Sequence, residues 1–353
     1  MLVIDGSIGE GGGQILRYAL ALASVVQKPV KIINIRAKRK NPGLQPQHLT
    51  SVKAVAAITS ADVEGAYKGS MELIFRPKAL RGGSYVFDVG TAGSVSLVLQ
   101  SLLPILPFLD RKTSIEIRGG TDVPMSPPID YIKYVLIPLL NMFGYKIEVE
   151  VVRRGHYPRG GGVVKIKTSP THRLEAIDLV ERGDIEFIGG RSHCVKLPSH
   201  VAERQAKAAK DYLLSRGINK PINIDIEYYE PNKDPHLGPG SGIVIYAKTT
   251  NSILGGDALG MKGKPAEEVG REAAEKLYTE VISGAAIDRH AGDMLVPLMS
   301  LAKGTSRVTV SAISLHLLTA LEIIKIVLGV NVHIKEQYNK GYLVQLSGLG
   351  VEI

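Results

Sequence analysis

One order of periodicities comes round three times along this chain: helix, strand, helix, then two strands. In the first round a strand at Leu2 to Ile4 leads into an apolar helix at Gln14 to Val26. A strand at Val30 to Arg36, a helix at Gln47 to Thr59 and strands at Met71 to Arg76 and Ser84 to Asp88 complete it. The second round has a helix at Ala92 to Leu106, a strand at Thr113 to Arg118 and a proline-opened helix at Pro128 to Met142. Strands at Lys146 to Val152 and Val163 to Lys167 follow. The third has helices at Gly292 to Leu301 and Ala312 to Leu328 around a strand at Arg307 to Val310, then strands at Val330 to Lys335 and Tyr342 to Leu346. Residue identity between the rounds is poor, so the repetition is one of structure. From about Ile185 to Lys276 the order breaks. A strand at Ile185 to Ile188, a helix at His200 to Ser215, strands at Ile222 to Tyr229 and Gly242 to Lys248, and a helix from Pro265 read as a compact insert. Strands alternating with helices throughout put the chain in the α/β or α+β class.

The 38 glycines, many of them in groups such as Gly11-Gly12-Gly13, Gly119-Gly120 and Gly160-Gly161-Gly162, are too dispersed for a linker. They read as tight turns and close backbone approaches. A length of 353 residues favours two or three domains. With 44% apolar and 22% charged residues, the chain is not a disordered one. Its single cysteine, Cys194, excludes a disulfide framework and points to a reducing compartment. Asp5 falls where a signal peptide would have its apolar core, so a cytoplasmic protein is expected. The greasiest stretch, Val95 to Leu109, is short and broken by Gln100, Pro104 and Pro107, which argues against a membrane span. Lys and Arg number 43 against 34 Asp and Glu, a formal charge of +9 that suits an anionic partner or a simply solvated basic surface. Aromatics at 5%, with no Trp, argue against a broad base-stacking platform.

Four segments carry residue types suited to phosphate chemistry. Asp5 to Gln14, reading DGSIGEGGGQ and followed by Arg17, is a glycine turn between a strand and a helix, which aims backbone N–H groups at an anion. No GK[ST] follows it, and Gln14 occupies the place of the third glycine of a dinucleotide fingerprint, so it is neither of those loops. A sharp turn that needs glycine is the plainer alternative. Glu10 within it suits a hard cation such as Mg²⁺ or Mn²⁺ bridging phosphate oxygens. Arg36-Ala37-Lys38-Arg39-Lys40, closed by Pro42-Gly43 and followed by Gln47-His48, is a basic loop that matches phosphate geometry or lies in solvent. Gly90 to Ser94 leads into a helix carrying Gln100, which either reads a base edge or, as favoured here, is a satisfied polar group on a core helix. Gly119 to Asp122 and Pro127 to Tyr131 form a glycine turn and a proline-capped helix start.

Of the nine histidines, His193 beside Cys194, together with His200, invites a zinc reading that no second cysteine supports. His290 lies in a polar turn, Asp288 to Asp293. His316 sits in Ser314-Leu315-His316-Leu317-Leu318-Thr319 near the start of a greasy helix, where a histidine is more often packed in the core.

Taken together, these segments, with Tyr157 to Gly162, His290 to Asp293 and His316 to Thr319, resemble the RNA 3′-terminal phosphate cyclase family over nearly the whole chain. The resemblance implies three repeated βαβαββ units like the C-terminal domain of translation initiation factor 3, plus a smaller inserted α/β domain. On that pattern residues 1–183 and 277–353 form the large domain and 184–276 the insert. It also implies an ATP-dependent reaction in which His316 takes AMP from ATP and passes it to an RNA 3′-phosphate, which then closes to a 2′,3′-cyclic phosphate. Histidine suits this step because its neutral form is abundant near neutral pH. On the family pattern Glu10 holds a divalent metal and Arg17, Arg36 and Arg39 hold the phosphates. Gln100 and Asp293 contact the nucleotide within the segment His290, Ala291, Gly292, Asp293 and Met294, with the adenine between His290 and Pro127. RNA bearing a 3′-phosphate is the expected partner, membranes are not, and a homo-oligomer is compatible with the sequence. Two other readings share this architecture: a non-enzymatic ribosome-assembly factor, which lacks the nucleophilic histidine, and a carboxyvinyl transferase.

Overall fold

The computed structural model of the chain describes residues 1–352. The first unit runs β1 (Leu2–Asp5), α1 (Gly13–Val25), β2 (Val30–Ile33), α2 (Pro46–Thr59), β3 (Asp62–Glu64) and β4 (Leu73–Arg76). The second runs β5 (Ser84–Asp88), α3 (Val95–Leu102), β6 (Thr113–Gly119), α4 (Ile129–Tyr131), α5 (Ile137–Asn141), β7 (Lys146–Arg153) and β8 (Gly162–Ser169). A two-residue strand, β9 (Asp178–Leu179), precedes an insert of β10 (Ile185–Val195), α6 (His200–Ser215), β11 (Ile222–Glu227), β12 (Gly240–Thr249), β13 (Ile253–Leu259) and α7 (Ala266–Ile282). The chain then returns through α8 (Arg289–Leu301), β14 (Lys303–Val310), α9 (Leu315–Leu328), β15 (Val332–Glu336) and β16 (Tyr342–Leu349).

The sheets repeat one wiring. Their orders are β1-β2-β4-β3, β5-β6-β8-β7 and β9-β14-β16-β15. In each, the first two strands are parallel and the remaining pairs antiparallel. A helix must therefore cross between the first and second strand of every unit, while the last two close as a hairpin. Two expectations change. Ser84–Asp88 opens the second sheet instead of closing the first, because Asp62–Glu64 pairs antiparallel with β4 and fills that edge. The third unit acquires its first strand from β9, which lies before the insert and is too short to show a period. The helix expected at Ala92 to Leu106 is shorter: Ser94 caps its start by accepting from the Leu97 N–H, and Pro104 stops it. The segment at Pro128 to Met142 passes through a π-helical stretch at Ile132–Leu136.

Helix α1 is buried on every side from Gln14 to Val25, which follows from a sequence, GQILRYALALASV, that has only one charged residue. It packs against α2, α3 and α9, so all three units meet along it. Asp288 ties the second unit, the insert and α8 together at another point. Its Oδ1 accepts from the Tyr131 hydroxyl at 2.6 Å and from the first-turn N–H groups of α8, and its Oδ2 accepts from the Gly255 N–H of β13 at 2.9 Å. The insert has its own apolar core, with Ile188, Leu213, Ile245 and Leu277 fully buried between its sheet, β11-β10-β12-β13, and helices α6 and α7. No helix among the described residues is long and apolar enough to cross a membrane.

Candidate active site

The glycine turn between β1 and α1 is held against two other segments. The Gly6 N–H donates to the Ile33 carbonyl at 2.7 Å, and the Glu10 N–H to Thr319 Oγ1 of α9 at 3.1 Å. Two glycines are obligatory here. Gly9 has φ +50°, and a Cβ on it would lie 2.2 Å from Thr319 Oγ1. A Cβ on Gly13 would lie 2.5 Å from His48 Nε2 and 2.8 Å from Arg17 Nη1. Gly12 caps α1 with no side-chain oxygen, so the first-turn N–H groups face outward without an acceptor, an arrangement suited to an anion. By contrast, Asp288 fills the start of α8 and Ser314 that of α9.

The basic loop folds onto this turn. Lys38 Nζ donates to the Ser7 carbonyl at 3.0 Å, and Arg39 donates to the Glu10 carbonyl at 3.1 Å and to Glu10 Oε2 at 2.8 Å. Arg36 faces its own loop, donating to the carbonyls of Asn41 and Gly43. Arg36 therefore shapes the loop, while Arg39 and Lys38 reach the turn. Glu10 is largely buried, and among the described residues its Oε1 accepts no hydrogen bond. A carboxylate with one oxygen occupied by a cation and one open fits the single protein ligand that a phosphate-bound Mg²⁺ usually takes.

His316 is not a core residue. It stands in the first turn of α9 with 53% of its side chain exposed, and its ring faces the glycine turn. Its Nδ1 lies 3.1 Å from Gln14 Oε1 and 3.4 Å from Glu10 Oε2. Both neighbours are acceptors, so Nδ1 carries the proton and Nε2 keeps its lone pair, pointing away from both. Sequence reading passed over Gln14 because it registered only as a broken dinucleotide motif.

The remaining candidates form a chain of hydrogen bonds through the core. Arg17 Nε donates to Gln100 Oε1 at 2.9 Å, Gln100 Nε2 donates to the Tyr18 hydroxyl at 2.9 Å, and that hydroxyl donates to the Asp293 carbonyl at 2.8 Å. Gln100 is thus a buried bracket between Arg17 and Tyr18. Burial lowers Arg17 to about 10, with Tyr18 and Glu10 pulling the other way, and it stays a cation at neutral pH. Burial, with Asp288 and Glu10 nearby, raises the Asp293 carboxyl to about 8. Ser314 Oγ reaches its Oδ1 at 3.4 Å. Asp293 is therefore protonated at neutral pH and able to donate.

Ala291, Gly292 and Met294 are buried in the first turns of α8, where a Cβ on Gly292 would lie 2.7 Å from Val310 Cγ1. His290 is exposed, edge-on to Tyr131 with ring centroids 6.4 Å apart. Pro127 is half-buried, one residue ahead of the N-cap of α4.

His48 was also missed, its signal submerged in the basic run before it. Burial and the charges of Arg17 and Arg36 lower it to about 3. Its Nδ1 accepts the Gln45 N–H at 3.3 Å, so Nε2 carries the proton and presents it to the Gly12-Gly13 turn. On α6 of the insert, Arg204 forms a two-pronged pair with Glu267 and Lys207 pairs with Asp211.

A model of the RNA 3′-terminal phosphate cyclase family matches residues 8–334. The chain is 57% identical over 326 residues to the RNA 3′-terminal phosphate cyclase of Hyperthermus butylicus, covering 92% of this chain and 91% of that protein. It is 55% identical over 349 residues to the protein of that name in Caldivirga maquilingensis, covering 98% of each. The like-named protein of Methanopyrus kandleri is 48% identical over 336 residues, covering 95% of each.

Proposed function

The chain belongs to the RNA 3′-terminal phosphate cyclase family and is an enzyme of that type, and from this we propose that it cyclises RNA 3′-phosphate ends through an adenylyl group carried on His316. His316 Nε2 attacks the α-phosphorus of ATP, the bond to pyrophosphate breaks, and AMP stays on the ring. An oxygen of the RNA 3′-phosphate then takes AMP from the ring, and histidine leaves. The neighbouring 2′-hydroxyl, losing its proton, attacks the activated phosphate and expels AMP, leaving a 2′,3′-cyclic phosphate.

The observation that carries this reading is the pinned His316 ring. With Nδ1–H on Gln14 at 3.1 Å and beside Glu10 at 3.4 Å, the lone pair of Nε2 is free and the positive charge that develops on the ring as Nε2 bonds to phosphorus is met by a carboxylate. The uncapped first turn of α1, Arg17, Arg39 and the Nε2–H of His48 supply donors for phosphate oxygens. A divalent metal held by Glu10 would neutralise charge on those phosphates. Neutral Asp293, at the start of α8, donates to the nucleotide, with His290 and Pro127 on the adenine faces. Arg36 acts on the phosphates through the shape of its loop.

The RNA end is assigned to an arginine-rich surface, where Arg118 also pairs with Glu116 and Arg153 donates to the Gly161 carbonyl. A cleft of about 650 Å³ where the second unit meets the insert is lined by Arg118, Arg153 and Arg159 beside Gly90 and Thr91. End recognition by phosphate contacts, with few aromatics, fits a substrate defined by its terminus. The same reading places the reaction in the cytoplasm and takes 184–276 as an inserted domain. The test is to give the protein ATP and an oligonucleotide with a 3′-phosphate. The reading expects a 3′ end that resists phosphatase and AMP formed in step with it. A protein that consumes no ATP under these conditions contradicts the reading.

A further inference from the structure

Away from the glycine turn, the protein holds a second cluster of metal-ligating side chains that the cyclisation chemistry does not use. Asp122 follows β6, His156 lies between β7 and β8, and His193 is on β10 of the insert. They are 2%, 7% and 1% exposed. The sequence placed His193 with Cys194 and His200; the fold brings it to His156 and Asp122 instead. His156 Nε2 and His193 Nε2 are 3.1 Å apart, His193 Nε2 is 3.9 Å from Asp122 Oδ1, and one donor atom of each residue lies within 4.8 Å of the others.

The hydrogen bonding within this cluster is incomplete. Asp122 Oδ2 accepts from Thr121 Oγ1 at 2.6 Å and from Arg154 Nη1 at 3.3 Å, whereas Oδ1 is buried with no partner. A buried carboxylate oxygen left bare carries an uncompensated desolvation cost. Two imidazoles facing each other through Nε2 share one proton at most. Neutral imidazole is the form that binds metal.

The surrounding charge is also unbalanced. Arg154, 1% exposed, is flanked by Asp122, by Asp130 at 2.6 Å and by Glu227 at 2.7 Å, three carboxylates on one guanidinium. Arg191 Nη1 also lies 3.4 Å from Glu227 Oε2. His236, buried with its Nε2 unpartnered, holds its Nδ1 on Asp234 at 2.7 Å and its ring edge-on to Tyr229. Glycine backbone packs closely against both rings. A Cβ on Gly240 would lie 2.0 Å from His156 Cγ, and one on Gly242 3.0 Å from His193 Cε1.

We propose that Asp122, His156 and His193 form a structural site for a transition-metal dication of the zinc class, which fastens the insert to the second unit. Two imidazole nitrogens and a carboxylate oxygen are a zinc donor set, and bonds of about 2.0–2.2 Å allow donors up to about 4.4 Å apart. The two measured separations already satisfy this. The ion gives Asp122 Oδ1 its missing partner, replaces the shared proton, and offsets the excess carboxylate charge. Its ligands come from both sides of the junction, so removing it loosens the insert rather than the glycine turn.

The experiment loads the full-length protein with Zn²⁺, removes free metal by dialysis and measures bound zinc, with Co²⁺ loading as a spectroscopic parallel. Wild type is expected to retain stoichiometric zinc and to give the intense visible bands of low-coordinate cobalt with nitrogen and oxygen ligands. His156→Gln combined with His193→Gln should lower retained zinc at least about tenfold, while Glu10→Ala keeps it. Chelation should lower the melting temperature of wild type and leave that of the double variant unchanged. Wild type that retains no zinc and gives no such cobalt spectrum overturns the proposal, even if the double variant does not fold. Equal retention by a folded double variant overturns it too.

Discussion

The Arg17 guanidinium of α1 is held by Gln100 of α3, with Nε 2.9 Å from Oε1, and both side chains are buried. The hydrogen bond crosses from the first unit to the second and sets the direction in which Arg17 faces the Gly12-Gly13 turn. Gln100→Leu removes the acceptor and leaves a buried cation short of a partner, a loss of about 1.5–3 kcal/mol. If Gln100 positions Arg17 for phosphate, the KM for ATP rises at least several-fold while kcat changes less. Steady-state kinetics beside a thermal melt separate this from a purely structural role, which lowers the melting temperature and leaves KM where it was.

Glu10 has one oxygen on Arg39 at 2.8 Å and the other open. Replacing it by Gln removes the charge that a divalent metal needs and keeps the shape of the turn. The metal concentration giving half-maximal adenylylation is then expected to rise at least about tenfold. A metal titration superimposable on that of wild type would place the metal elsewhere.

Asp293 makes stability depend on pH in a defined direction. Its carboxyl is raised from an ordinary 3.8 to about 8 by burial, with Asp288 and Glu10 contributing. Across that window the unfolded chain has given up this proton and the folded one keeps it. Stability from this group is therefore complete below pH 3.8 and declines as pH rises, until it is lost above about 8. Asp293→Asn holds the neutral shape at all pH values. Denaturation curves from mildly acid to pH 8 should show wild type losing stability relative to the variant as pH rises. A constant difference would mean that Asp293 is ionised in the folded protein.

His48 acts with the opposite sign. Lowered from 6.5 to about 3 by burial and by Arg17 and Arg36, it stays neutral in the fold while the unfolded chain protonates. Its contribution is present above pH 6.5 and is lost as pH falls through that window. His48→Leu should flatten the acid limb of the stability curve, and it should weaken ATP binding by removing the Nε2–H donor.

Most of the fold was legible because its elements have clear periods. The apolar runs of α1, α8 and α9 and the alternation of β6 and β7 mark themselves. What escaped was short or set by tertiary pairing: Asp62–Glu64 and Asp178–Leu179 have too few residues to show alternation, yet they decide which sheet Ser84–Asp88 joins and where the third unit begins. At the active site the charged and glycine-rich residues stood out, whereas Gln14, Tyr18 and His48 did not. Each is a residue type that is usually a satisfied core group, and its role follows from neighbours up to hundreds of positions away. The Asp122, His156 and His193 cluster escaped for the same reason, since its ligands have no common spacing.

The account turns on His316 as the residue that carries AMP. Labelling with α-³²P ATP and a divalent metal, read on a denaturing gel for wild type, His316→Ala and His290→Ala, tests it directly. The prediction is an acid-labile label on wild type and on His290→Ala, and none on His316→Ala. A label that survives in His316→Ala would contradict it.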